Sequence, residues 1–365
     1  MLLFLVIYIV AIVWGVKFRM KPTQEYLDFD HTQAVKGIFI LMVLFSHFNG
    51  QVTFTRQMDL GYQEIISFFG QTMVTMFLFY SGYGIMESIK KKGKNYINGI
   101  PQKRIFPTLI RFDCAVVIYA VLTLLLGQRF PWQYYPLALT GWESVGNSNW
   151  YIFDILVLYI LTYAIFKMFY GKKEGRIRLS ACIMLFLMAG GVVFLTWYYL
   201  KPTWWYDTVF CYMIGMFYSI YRPKIEKIVN KNCITWLIFL AITWGTFLFF
   251  KMNQINIWFI MARNIAFCIA VTVLTMRVAF KNKVLIWCGK HLFEIYILQR
   301  IPMILLKAFG LDQWNVYLYF AGCAGITLAL IYPFKWLTDR LVTAINVVLF
   351  KGAQKKLKER NAHAQ

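Results

Sequence analysis

Lys36-Gly-Ile-Phe-Ile-Leu-Met-Val-Leu-Phe-Ser-His47 is an apolar run with an ionisable side chain at each end. A helix turns about 100° per residue, so the eleven steps from Lys36 to His47 return to nearly the same azimuth, about 20° past three turns. Both side chains therefore share one helix face, about 16 Å apart along the axis. Burying an ammonium or an imidazole in a segment made for lipid is costly, which marks the pair as a functional candidate.

The rest of the chain extends the membrane reading. Of its 365 residues 60% are hydrophobic, and the mean hydropathy is +0.56. That balance fits a polytopic membrane protein rather than a globular one. Measured against a span of about 20 residues, the apolar runs predict eleven helices: 1–16, 33–50, 65–86, 109–127, 150–170, 178–199, 206–220, 233–250, 257–278, 284–306 and 316–337. The expected fold is an all-α transmembrane bundle. Residues 1–32 add an N-terminal anchor and linker, 33–338 form the core, and 339–365 form a basic tail. No linker has room for a soluble domain.

Charge placement gives an expected orientation. Lys and Arg gather in alternate loops: Lys17, Arg19 and Lys21; Lys90–Lys94, Lys103 and Arg104; Lys172–Arg178; Arg222–Lys231; Arg277–Lys283; and the tail from Arg340 to Arg360. The intervening loops carry about one cation each, namely Arg56, Arg129, Lys201, Lys251 and Lys307. The positive-inside rule then predicts an outer N-terminus and a cytoplasmic C-terminus in a cell membrane. The formal charge of +22 has the same origin and does not imply nucleic acid. Those loops would favour anionic lipid and anionic cytosolic ligands. Met1–Val16 has no basic segment before it and no small-residue cleavage site after it, so it is expected to be a retained anchor. The seven cysteines show no metal-ligand spacing, so no metal is expected. Trp132, Trp142, Trp150, Trp204 and Trp205 fit an outer aromatic belt.

Several more polar groups fall within predicted spans. Lys36 sits near a helix end, where a lysine can also simply snorkel to the headgroups. His47 lies in the outer third, and Glu294 near the middle of 284–306, where a carboxylate costs about 2.5–3.5 kcal/mol on insertion scales. Arg263 and Asp154 share that outer or middle zone; Arg111 and Asp113 share the level of Lys36. Interhelical ion pairing is the alternative reading for these. Phosphate-loop, dinucleotide, zinc-protease and nucleophile-elbow motifs are absent from the sequence.

Taken in order, these residues resemble the integral-membrane type-3 acyltransferases, the OafA-like O-acyltransferases. Lys36-x10-His47 resembles their Arg/Lys-x10-His signature, and Phe77-Leu-Phe-Tyr-Ser-Gly-Tyr-Gly-Ile85 their Ser-Gly segment. Lys103-Arg-Ile-Phe-Pro107 is similar to their cytoplasmic basic stretch, Asn149-Trp-Tyr-Ile-Phe153 to their aromatic helix entry, and Glu294-Ile-Tyr-Ile-Leu298 to a late motif. The similarity runs from about 33 to about 335. Gln33 stands where members often have Asp, and Gln299 where many have His.

The resemblance implies transfer of an acyl group, most often acetyl, from cytosolic acyl-CoA to a hydroxyl of a cell-surface or envelope glycan. Lys36, with Arg104 and Arg111, is then expected to hold the anionic donor. His47 is expected to act as general base or transient acyl carrier, with Glu294 or Asp154 orienting it. Ser81, Tyr83, Trp150 and Arg263 are further pore candidates. A separate extracytoplasmic transferase is a possible partner, since no appended hydrolase-like domain follows. Two rival readings are a glycan or lipid-linked saccharide exporter without covalent chemistry, and a structural subunit of an envelope complex.

Overall fold

The computed structural model describes residues 1–21, 24–54, 57–171 and 173–351. Arg56, Lys172 and the tail from 352 onward, with most of its basic residues, lie outside the described residues. The chain is a helical bundle. Its elements begin with α1 (Leu2–Val13), strand β1 (Val16–Phe18), α2 (Phe29–Asn49), α3 (Gln57–Phe69), α4 (Thr72–Lys92), α5 (Lys94–Asn98) and α6 (Phe106–Leu125). Then come α7 (Tyr134–Leu139), α8 (Trp150–Phe169), α9 (Glu174–Trp197), α10 (Phe210–Val229), α11 (Cys233–Met252) and α12 (Ile257–Thr275). The series closes with β2 (Val278–Phe280), α13 (Lys283–Lys290), α14 (Leu292–Leu298), α15 (Arg300–Ala308), α16 (Leu311–Trp314) and α17 (Val316–Asn346).

All eleven expected apolar segments are helical, and seven helices among the described residues are long and apolar enough to cross a bilayer. Polar groups keep α2 and α10 outside that set. Those further along α2 (His31, Gln33, Lys36 and His47) are buried or half-buried, because most of the helix is covered by protein, while Asp30 at its first turn is exposed and pairs with Lys290. By contrast α11 turns Ile234, Leu237, Ile238, Ile242 and Phe249 outward, as a lipid-facing helix must.

Three departures from the sequence reading have local causes. The run 284–306 is not one helix but three, broken at His291 and Gln299. Pro302 has no N–H to give the Leu298 carbonyl, so the ladder cannot run through that point. Around Arg104 the backbone widens into a π-helical turn over Pro101–Ile105, in which the Phe106 N–H reaches back to the Pro101 carbonyl. Pro107 cannot donate to Lys103, and a wider turn absorbs the mismatch. Finally, α17 continues to Asn346, so the first residues of the expected tail are helical.

α1 has only twelve residues, about 18 Å of rise against a hydrocarbon core of about 30 Å. An extended segment completes the path. The Met1 ammonium pairs with Asp59 at the His47 end of the bundle, while β1 pairs antiparallel with β2, Val16 opposite Phe280, at the Lys36 end. Between them Tyr8 donates to the Ile38 carbonyl at 2.9 Å, and Asn282 donates to the Ala11 carbonyl at 2.8 Å.

Close helix crossings fix the two helices that carry the site. A Cβ on Gly37 would stand 1.8 Å from the Leu285 carbonyl oxygen, and one on Gly289 would stand 1.9 Å from that of Gln33. α2 and α13 therefore meet backbone to backbone, and the crossing sets the depth of Lys36. Gly82 and Gly215 do the same for α4 and α10, at 1.9 Å from Tyr212 and 2.0 Å from Phe79. Small residues at crossings are how membrane helices gain packing in the absence of a hydrophobic drive.

Candidate active site

α2, α4, the π-helical turn, α8 and α13–α14 enclose a cavity of about 820 Å³ at the Lys36 end. Among the described residues four cations line it, Lys36, Arg104, Lys290 and Lys335, and no carboxylate does. Lys290 is engaged by Asp30 at 3.1 Å. Lys36 makes no ion pair among the described residues; its ammonium stands 5.8 Å from the Tyr80 ring centroid. Arg104 is the charge that acts on it most directly. Like charges facing one space without a counter-ion repel, and a bound anion would relieve them. Ser81 lines the same space, its Oγ 3.0 Å from the Tyr159 hydroxyl. So does Tyr83, whose hydroxyl accepts a hydrogen bond from Arg222 at 2.7 Å.

His47 lies deeper, beyond the cavity wall. Tyr151 belongs to that wall, and its ring centroid is 5.3 Å from that of Tyr296; the Tyr296 ring is in turn 6.0 Å from the imidazole. Two aromatic rings thus stand between the cation-lined space and His47. The imidazole has no hydrogen-bond partner among the described residues, and its Nδ1 is buried. Arg300 is the charged group that reaches it electrostatically. Asp154, buried on α8 with Oδ2 unpartnered, exerts its field on Tyr151 and Tyr296.

The other residues singled out from the sequence fall in distinct places. Arg111 is ion-paired to Asp339 at 2.7 Å, joining α6 to α17, and does not line the cavity. Glu294 is buried with its carboxylate 3.9 Å from His291 Nδ1. Arg263 is buried, donating to Asn264 at 2.9 and 3.1 Å and to Gln254 at 2.6 Å, within the field of Asp207. Trp150 opens α8 and packs edge-on against Tyr151 at 6.0 Å. The structure thus gathers Lys36, Arg104, Ser81 and Tyr83 in one cavity, and links Asp154 to His47 through Tyr296. Arg300, Tyr151 and Tyr296 were not singled out from sequence. For Arg300 a signal existed, a cation six residues after Glu294 in the same apolar run.

No curated protein and no solved structure matches this chain. A profile of the acyltransferase domain matches residues 26–336, which includes every residue of the cavity wall and the imidazole behind it. A multi-pass helical bundle with Lys36 and His47 on one face of a largely buried helix therefore belongs to the type-3 acyltransferase family.

Proposed function

We propose that this enzyme moves an acyl group, acetyl by preference, from cytosolic acyl-CoA to a hydroxyl of a cell-envelope glycan. The observation that carries the donor assignment is the cavity at the Lys36 end, with four cations and no carboxylate on its walls among the described residues. Its volume lies in the usual range for small-molecule sites. The phosphates of CoA would be held by Lys36 and Arg104, and the pantetheine arm would extend toward the Tyr151–Tyr296 pair. Lys36 stands about 16 Å from His47 by helix rise, so it binds a remote part of the donor and touches no reacting atom. The positive-inside rule makes the Lys36 end cytoplasmic, with the N-terminus outside.

At His47 the acceptor oxygen attacks the thioester carbon while the imidazole takes the hydroxyl proton. A C–O bond forms, the C–S bond breaks, and the departing CoA sulfur receives that proton as free thiol. The aromatic pair must turn aside for the thioester to arrive, and in the closed arrangement it keeps water from the acyl carbon. Asp154 would steady the Tyr296 hydroxyl through this movement. Where the acceptor is a larger envelope polymer, a separate extracytoplasmic transferase would complete delivery.

Proteoliposomes with the Lys36 face inward, loaded with radiolabelled acetyl-CoA and supplied with soluble saccharides outside, test this reading. Ester-linked label on the outer saccharide is expected, and loading the donor outside instead should abolish it. Movement of unmodified saccharide without any ester would favour an exporter and contradict the proposal.

A further inference from the structure

More than nine in ten buried polar groups find a hydrogen-bond partner, so a gathering of orphans calls for an occupant. Such a gathering lies around Arg300, beside His47. Asn147 is 1% exposed, Ser148 4%, Tyr296 1% and Gln299 0%. Asn147 Nδ2, Ser148 Oγ, the Tyr296 hydroxyl and Gln299 Oε1 have no partner among the described residues; neither has His47 Nδ1. Arg300 joins this group to the imidazole: its Nη1 donates to the Asn147 carbonyl at 3.4 Å, and its charge reaches His47.

The orphans do not come from a loose loop. Asn149 donates to the Gly141 carbonyl at 2.9 Å, Ser144 donates to the Asn147 carbonyl at 2.7 Å, and the Asn147 Oδ1 accepts from the Val145 N–H at 3.0 Å. Gly146, at φ +104°, is backed by Ile304 and Thr123, each 3.3 Å from where a Cβ would be. Gln299 is likewise fixed, its Nε2 donating to the Tyr296 carbonyl at 3.1 Å. Asn147 and Gln299 therefore each spend one end of the amide on nearby backbone and leave the other end free, and Ser148 leaves its hydroxyl free.

We infer that Asn147, Ser148 and Gln299, with Arg300, form the subsite that binds the acceptor as a neutral polyol and presents one hydroxyl to His47. This rests on the acyl-transfer reading above. The unused groups complement neighbouring hydroxyls: the Asn147 amide donates, the Gln299 carbonyl oxygen accepts, and Ser148 does either. The set is uncharged apart from Arg300, unlike the donor cavity, so the two substrates are sorted by charge. Such a site rejects an acceptor lacking the matching hydroxyls, because binding it would leave the polar groups unpaired.

The test uses the full-length protein in proteoliposomes with acetyl-CoA as donor and methyl glucoside and methyl N-acetylglucosaminide as probe acceptors. Gln299→Met and Ser148→Ala are each expected to raise the sugar KM about tenfold. The KM for acetyl-CoA should stay at the wild-type value. The thermal unfolding midpoint should hold or rise, since each change removes a buried orphan rather than a needed bond. An unchanged sugar KM, a parallel rise in both KM values, or a lowered midpoint with proportional loss of all activity would overturn the subsite. So would a wild-type enzyme that consumes acetyl-CoA but acylates neither sugar. A wild type that does not consume acetyl-CoA at all would instead count against the acyl-transfer reading.

Discussion

His47→Ala is expected to lower acyl transfer by about 10²- to 10⁴-fold, the usual worth of a positioned general base. Acetyl-CoA should still bind, because the cations that would hold its phosphates lie at the far end of α2. The reason for a large effect is geometric. The imidazole is half-buried with its Nδ1 shielded, has no hydrogen-bond partner among the described residues and lies behind the Tyr151–Tyr296 pair. Glu294 is turned to His291, and Asp154 reaches the site only through Tyr296. Neither is placed to take the proton directly, so Glu294→Gln should leave far more activity than His47→Ala. Single-turnover kinetics with pre-bound acetyl-CoA would separate the chemical step from binding. Equal chemical rates in wild type and His47→Ala would remove the imidazole from the mechanism.

The second large effect concerns the donor. Losing a hydrogen bond to a charged group costs about 1.5–3 kcal/mol, so Lys36→Met and Arg104→Met should each raise the KM for acetyl-CoA about tenfold to a hundredfold. The rate at saturating donor should fall much less, since neither cation touches the reacting atoms. Dephospho-CoA thioesters, with fewer anionic groups, should lose less on substitution than the full donor does. Arg111→Met serves as the contrast. Its partner is Asp339 and both side chains are partly exposed, 31% and 45%, so the change should cost about 1 kcal/mol of stability or less. It should leave the donor KM unchanged. A donor KM that responds to Arg111 and not to Arg104 would invert the assignment.

Much of this arrangement was legible in the sequence. Each of the eleven apolar runs proved helical, because a span must be continuously apolar whatever it packs against, while the short helices α5, α7 and α16 gave no such signal. The Lys36–His47 pair was legible for the opposite reason, as two groups that lipid would reject. The break in 284–306 was not, since Lys290-His291 and Gln299-Arg300 read as polar groups inside one apolar run, whereas they mark the points where the helix stops. That break puts Glu294 and Tyr296 on a helix of seven residues, and leaves Gln299 and Arg300 at a junction rather than mid-span. Arg104 and Arg111 looked alike from sequence, both cations near the inner end of one helix. Only the π-helical turn, which places one on the cavity wall, and the presence of Asp339 beside the other distinguish them. Tyr151 and Tyr296 both lie within segments quoted for the family resemblance, but nothing in the sequence showed that their rings meet.

The central claim is that one extended donor runs from Lys36 to the imidazole. Cryo-electron microscopy of the full-length protein with a non-hydrolysable acetyl-CoA analogue examines it directly. The account predicts phosphate density against Lys36 and Arg104, with the acyl end passing between Tyr151 and Tyr296 to within contact of His47. Analogue density that leaves the Lys36 cavity empty, or an acyl end directed away from His47, would contradict it.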